Sequence, residues 1–200
     1  MSDKKADITD EEIITRFQAG DKEIYSILID RHYNKAFQIA FALLRSREDA
    51  EEVTQDSFAK IFSALENFRG QAKFTTWMYR IVTNYAKNRY RWNKTRGSQK
   101  NVSIHSPIDG KDNTEFFIDF PTNSLQPAEQ SSFSELEKGV YDNLAKITTN
   151  YREALILRNI KGLSYEEISE ILDCKIGTVK SRIARGREEL RQLLLKQGLL

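Results

Sequence analysis

Trp77, Arg80, Asn84, Lys87, Asn88 and Arg91 follow one another largely at spacings of three and four. On a helix such residues share a side. That side would hold one ring, three cations and two amides. Rings stack on unpaired bases, cations track phosphates, and amides read base edges. The window around them, residues 68–92, contains seven aromatic rings and six Lys or Arg side chains, with no Asp or Glu. The acid-free run extends from Asn67 to Ile108 and carries nine basic residues. The preceding loop, Arg69 to Phe74, brings in Lys73 and Phe74 and is placed to wall a pocket for one flipped-out base. An aromatic core ringed by snorkelling Arg and Lys would account for most of the rings, but not for the missing acids. The block suits single-stranded or distorted DNA.

A second constellation lies in residues 162–190, GLSYEEISEILDCKIGTVKSRIARGREEL. Ser164 and Glu167 form a capping-box pair after Gly162, so a short helix starts there. Ile168, Ile171 and Leu172 make its inner face. A turn through Asp173 to Ile176 follows, with Cys174 as a small packing residue. The next helix is expected to bury Ile176, Val179, Ile183 and Leu190. Two short helices joined by a tight turn make a helix-turn-helix. At roughly 100° per residue, Thr178, Ser181 and Arg185 point away from Ile183, with Arg182 and Ala184 on the flanks. Lys175 to Arg187 holds five bases and no acid. This helix presents hydroxyls and arginines suited to a major groove, and its N-terminus near Gly177 can hold a phosphate. The plainer alternative is a charged surface helix on an ordinary helical hairpin.

Charge is segregated along the chain. Residues 1–66 carry 14 acids and 9 bases, 67–108 carry none and 9, 109–137 carry 7 and 1, and 138–200 carry 8 and 12. The overall +2 conceals two basic blocks separated by an acidic one, the pattern of two separate contacts with a polyanion. One cysteine, Cys174, excludes an internal disulfide, and with only His32 and His105 beside it a structural metal site is not expected. No stretch approaches the length of a transmembrane span and the N-terminus has no apolar signal core, so a cytosolic protein is expected.

The elements that must position these residues are all helical. Thr9 and Glu12 cap a short first helix, and Gly20 stops it. Ile24, Ile27, Leu28, Ala36, Ile39, Ala40 and Leu43 predict an amphipathic helix over 21–44. Ser46 caps a third, ending near Asn67. The fourth runs from Phe74 to Trp92, with Met78, Ile81, Val82, Tyr85 and Trp92 as its core stripe. Pro107, Pro121 and Pro127 fall in an aperiodic segment that reads as a flexible linker. Periodicity resumes with Phe133, Leu136, Val140, Tyr141, Leu144 and Ile147, followed by helices at about 150–160, 164–172 and 176–196. The fold expected is all-α: two helical domains, residues 1–95 and 132–200, joined by a linker at 96–131. How the domains sit in the free chain is not fixed by the sequence.

These two motifs, in this order and spacing, resemble an extracytoplasmic-function (ECF) sigma factor of the sigma-70 superfamily. The likeness rests on REDAEEVTQDSFAKIFSALENFRGQAKFTTWMYRIVTNYAKNR, residues 47–89, and on YREALILRNIKGLSYEEISEILDCKIGTVKSRIARGREEL, residues 151–190. They are similar to the family's regions 2 and 4, and the likeness covers nearly the whole chain except the linker. It implies a bacterial initiation factor that binds core RNA polymerase at its largest-subunit clamp helices and its flap region. By the same resemblance Glu52, Gln55 and Asp56 dock on the clamp helices. Lys73, Phe74, Trp77, Arg80, Asn84, Lys87 and Asn88 engage the melted non-template strand of the minus-ten element, with Asn84 where the family reads a flipped base. Thr178, Lys180, Ser181, Arg182, Ala184 and Arg185 read the minus-thirty-five element as duplex. Control by an anti-sigma factor, usually membrane-linked, is implied too, with nucleoid association when active. No cofactor, metal, small-molecule substrate or catalytic residue is expected, and the chain has no phosphate-cradling Gly-x4-Gly-Lys-Ser/Thr loop. A stand-alone helix-turn-helix regulator is the competing reading. A nucleic-acid-processing enzyme lacks a carboxylate/His cluster beside either basic block.

Overall fold

A computed structural model describes residues 8–97, 140 and 142–199, and all the regular structure among them is helical. The first unit holds α1 (Asp10–Gln18), α2 (Tyr25–Leu44), α3 (Arg47–Ala64) and α4 (Phe74–Gly97), with 3-10 turns at Lys22–Ile24 and Leu65–Asn67. The second holds α5 (Thr149–Lys161), α6 (Tyr165–Leu172) and α7 (Ile176–Lys196). The linker prolines, Phe133, Leu136 and Tyr141 lie outside the described residues.

Local chemistry sets the helix ends. Thr9 Oγ1 accepts from the Glu12 N–H while Glu12 accepts from the Thr9 N–H, the reciprocal capping box the sequence predicts. Ser46 caps α3 through the Asp49 N–H. Between α2 and α3 the chain reverses at Arg45, a non-glycine residue in the left-handed region with φ 59°. The apolar stripes then meet. Ile13 and Phe17 of α1, Leu28 and Ile39 of α2, Ile61 of α3, and Met78 and Val82 of α4 are buried together. Burial of such side chains stabilises by about 1.5–3 kcal/mol each before entropy is counted. α2, α3 and α4 pack mutually. A polar clasp ties α1 to α2: Asp10 accepts from Arg31 at 2.5 Å and lies 2.7 Å from Nε2 of the buried His32. Burial alone would raise the Asp10 carboxyl, but these two neighbours outweigh it and leave it below its ordinary value.

In the second unit α5, α6 and α7 enclose Leu155, Ile156, Ile168, Ile171, Val179, Ile183 and Leu190. Gly162 ends α5 at φ 63°. Gly186 of α7 faces α5 so closely that a Cβ there would lie 2.8 Å from Leu155 Cδ1 and 3.1 Å from Tyr151 Cβ.

Three details depart from the sequence reading. α4 continues to Gly97, past Trp92. Trp92 is not in the core stripe: it is 47% exposed, with the Arg96 guanidinium 4.0 Å from its ring centroid. Ile176, expected inside, is 39% exposed, because it opens α7 at the helix end. The two units also touch, α4 against α6 and α2 against α5. At that contact the buried Arg152 lays its guanidinium 4.3 Å from the Tyr90 ring centroid.

Candidate nucleic-acid interface

α4 and the loop before it carry the first site. Gln18 of α1 donates its amide to the carbonyls of Leu65 and Phe68, at 3.0 and 2.9 Å, and so pins the start of the loop. Gly70 sits at φ 67°, a turn that a side chain would strain. Phe68 packs on Trp77 with ring centroids 4.7 Å apart, and Phe74 lies 6.1 Å from the same indole. Trp77 is therefore a half-buried wall of the loop, not a free platform. Phe74, expected to engage the strand, lies inside the packing. It is buried, its ring 5.3 Å from that of His32, where it supports Trp77 from below. Arg80, Asn84, Asn88 and Arg91 are exposed along the helix, and Lys73 is exposed at its start. No Asp or Glu occurs anywhere in α4.

Three of these cations already have anionic neighbours. Lys73 Nζ lies 3.4 Å from Glu167, Arg80 Nη2 3.7 Å from Asp173, and Lys87 Nζ 3.0 Å from Glu153. All three acids belong to the second unit. Glu167 accepts from the Ser164 backbone N–H, and this bond, helped by Lys73, holds its carboxyl below the ordinary value and charged. A cleft between the units is lined by Ala72, Lys73 and Thr76 on one side and Ser164, Glu167 and Glu170 on the other.

α7 carries the second site. Lys180, Ser181, Ala184 and Arg185 are exposed, while Thr178 and Arg182 are half-buried at the flanks. Ser181 Oγ donates to the Thr178 carbonyl at 2.9 Å. Arg182 Nη1 lies 3.6 Å from Cys174 Sγ, and Arg185 Nη1 lies 3.4 Å from the Tyr151 hydroxyl. The α6–α7 turn is braced by Ser169 Oγ donating to the Cys174 carbonyl at 2.5 Å, and the Cys174 side chain is half-buried against the core. The outward face thus consists of a small methyl, a hydroxyl and cations; Ser181 and Arg185 lie outward as the angular reading of α7 predicts, whereas Thr178 is half-buried and Ala184 exposed.

Glu52, Gln55 and Asp56 stand exposed on α3. Glu52 is not isolated: Arg89 of α4 pairs with both it and Asp49, and these carboxylates hold the guanidinium's pKa above its ordinary value, the Glu52 hydrogen bond foremost. Gln55 borders an apolar groove between α2 and α3, formed by Ile29, Tyr33, Phe58, Ala59 and the 42%-exposed Phe62. The groove escaped the sequence reading. Ile29–Tyr33 and Phe58–Phe62, each four apart, were its signal. Among the described residues no cluster of His, Cys, Asp and Glu could hold a metal ion, and no helix is long and apolar enough to cross a membrane.

Family models place this geometry. Sigma-70 region 2 matches residues 28–96, and Sigma-70, region 4 matches residues 140–190. The ECF RNA polymerase sigma-E factor of Haemophilus influenzae is 38% identical over 184 residues, covering 90% of this chain and 93% of the relative. The RNA polymerase sigma-H factor of Pseudomonas aeruginosa is 33% identical, covering 92% and 93%. The chain belongs to the ECF sigma factors of the sigma-70 family, the transcription initiation factors. Among solved structures, the sigma factor RpoE bound to the anti-sigma factor NepR from Bartonella quintana superposes with a TM-score of 0.60 at 25% identity, covering 85% of this chain and 96% of that one. CnrH in complex with the cytosolic domain of CnrY gives a TM-score of 0.65 at 23% identity over 92% and 96%, a likeness of fold.

Proposed function

We infer that this chain recruits core RNA polymerase to promoters and holds the opened minus-ten strand, without a catalytic step of its own. The observation that carries the reading is the acid-free α4, with Arg80, Asn84, Asn88 and Arg91 exposed beside a loop walled by Trp77. Cations there follow the strand, Asn84 reads an unpaired base, and Trp77 presents the exposed part of its ring for stacking. Lys73, Arg80 and Lys87, each beside an acid of the second unit, supply further charge to this face. Residues 1–95 act as the polymerase and minus-ten unit, 132–200 as the minus-thirty-five unit, and 96–131 as the linker. Thr178, Lys180, Ser181, Arg182, Ala184 and Arg185 enter the major groove of duplex DNA. Glu52, Gln55 and Asp56 meet the clamp helices, and the groove ending at Phe62 supplies an apolar anchor next to them. The relatives' names, and a sigma factor seen bound to an anti-sigma factor, support polymerase as the partner and an anti-sigma factor as the regulator, acting in the cytoplasm.

Run-off transcription on genomic templates tests the reading. Core polymerase with this chain should produce defined start sites that core alone does not. A stand-alone regulator would instead bind its operator tightly in gel shifts without core and leave the start sites of core unchanged.

A further inference from the structure

α1 is nine residues long, and each of its ends reaches toward one of the two phenylalanines that flank Trp77. At its last residue, Gln18 turns its amide onto the connection after α3. Its two N–H groups fall to the Leu65 and Phe68 carbonyls at 3.0 and 2.9 Å, with the Glu66 carbonyl a longer third neighbour at 3.4 Å. Leu65 and Phe68 bracket the turn at Leu65–Asn67, so one amide ties its two ends together. Phe68 is the last residue held in this way before Gly70 turns the chain at φ 67°. Fixing the Phe68 carbonyl fixes the direction from which its ring meets Trp77, at 4.7 Å. At the first residue of α1, Asp10 lies 2.7 Å from His32 Nε2, and the His32 ring packs on Phe74 at 5.3 Å. We propose that Gln18 is a positioning residue for strand opening: it acts through Phe68 to hold the Trp77 ring where an unpaired base can stack. The proposal rests on Trp77 being the stacking ring of α4.

α1 precedes residues 28–96, the part matched by region 2, and Gln18 stands 47 to 50 residues from the carbonyls it holds. The other tether of this turn is weaker. Lys22 pairs with Glu66 at 2.6 Å, but the two side chains are 39% and 61% exposed. A pair so exposed is screened by salt and contributes little. Gln18 is itself exposed, outside the buried stripe of Ile13, Ile14 and Phe17. Its removal therefore leaves the packing of α1 intact and returns the freed carbonyls to water, which satisfies them. What changes is the order of the loop. Phe68 regains freedom, and the strand must then order Trp77 as it binds, which weakens binding. Positioning is separable from stability for that reason.

The full chain has two tryptophans, so a Trp92→Phe background leaves Trp77 as the fluorescent reporter. In that background Gln18→Met keeps the length of the side chain and removes its N–H donors without adding charge. Trp77 anisotropy in the free chain should fall, and its emission should move to the red as Phe68 loosens. With core polymerase on a promoter mapped by run-off, permanganate-reactive open complex should drop about fivefold. The urea midpoint and closed-complex binding should stay near those of the background. Gln18→Arg returns N–H donors to the same place and should restore both the Trp77 signal and opening. Unchanged Trp77 fluorescence in Gln18→Met, or an equal loss of open and closed complexes, overturns the positioning. So does full opening by Gln18→Met where Trp77→Ala opens poorly. Where the Trp77 signal changes and both variants open fully, it is the stacking reading that falls.

Discussion

Trp77 shows how much one residue's surroundings alter its meaning. Spacing puts it on the outward stripe of α4, and the structure leaves it half outside, clamped by Phe68 and Phe74. A ring held rigidly at the mouth of a loop stacks on a base without first losing rotamer freedom. Trp77→Ala should therefore cost roughly 1–3 kcal/mol in open-complex formation, while closed-complex binding to duplex promoter stays near wild type. Permanganate footprinting of unpaired thymines measures the first and gel shift with core polymerase the second; equal loss in both would remove the stacking role. The site was legible where residue type alone decides: an acid-free run can be counted, and so can a capping box. It was not legible where the third dimension decides. Phe74 looks like its exposed neighbours in sequence, and only the packing of α2 beneath it, with His32 in contact, turns it inward. The partners of Lys73, Arg80 and Lys87 lie more than 60 residues away, across the linker, and no local pattern announces them.

At the scale of elements, the period of apolar residues located the helices, because each must bury one stripe. It was less able to place their ends. α4 outlasts its own buried stripe: after Ala86 its turns are held by Arg89 bridging to Asp49 and Glu52 and by Asn93 donating to Asp49, polar contacts that leave no hydrophobic period. The distance between helices was equally hidden, and Gly186 sets one such distance. It stands on α7, three residues beyond Ile183, and lets that helix approach α5 until only hydrogen fits. Replacing it with Ala improves helix propensity by about 1 kcal/mol. Against this, the new methyl meets the buried Leu155 and the Cβ of Tyr151, and overpacking of that kind costs typically about 1–3 kcal/mol. Gly186→Ala should thus destabilise the second unit by a net of up to roughly 2 kcal/mol. It should also tilt α7, weakening minus-thirty-five binding more than minus-ten binding. Urea melts of the full chain, with gel shifts on promoters altered in one element at a time, would read both effects.

For the whole molecule, what matters is the pairing of the two units, α4 against α6 and α2 against α5. Lys161 near the end of α5 donates to Gln38 of α2 and so sits in the joint between them. Burial, then the charge of Lys35, pushes its pKa down to about 8 from an ordinary 10.5. The sign follows from linkage. Below about pH 8 the ammonium is charged whether the joint is closed or open, and the closed form carries the full penalty of desolvating it. As pH rises through 8 the closed form sheds the proton while the open or unfolded chain keeps it up to 10.5, so the penalty falls away. Alkaline conditions therefore favour closure at this contact, and the physiological range keeps it under tension. Lys161→Met retains the aliphatic stem and removes the charge. The variant should melt above wild type at pH 7, and that advantage should shrink at pH 9.5, where wild-type Lys161 is itself neutral in the closed form. Thermal melts of both chains at the two pH values decide the matter: a gap that stays constant would mean that Lys161 is charged and fully hydrated in the joint.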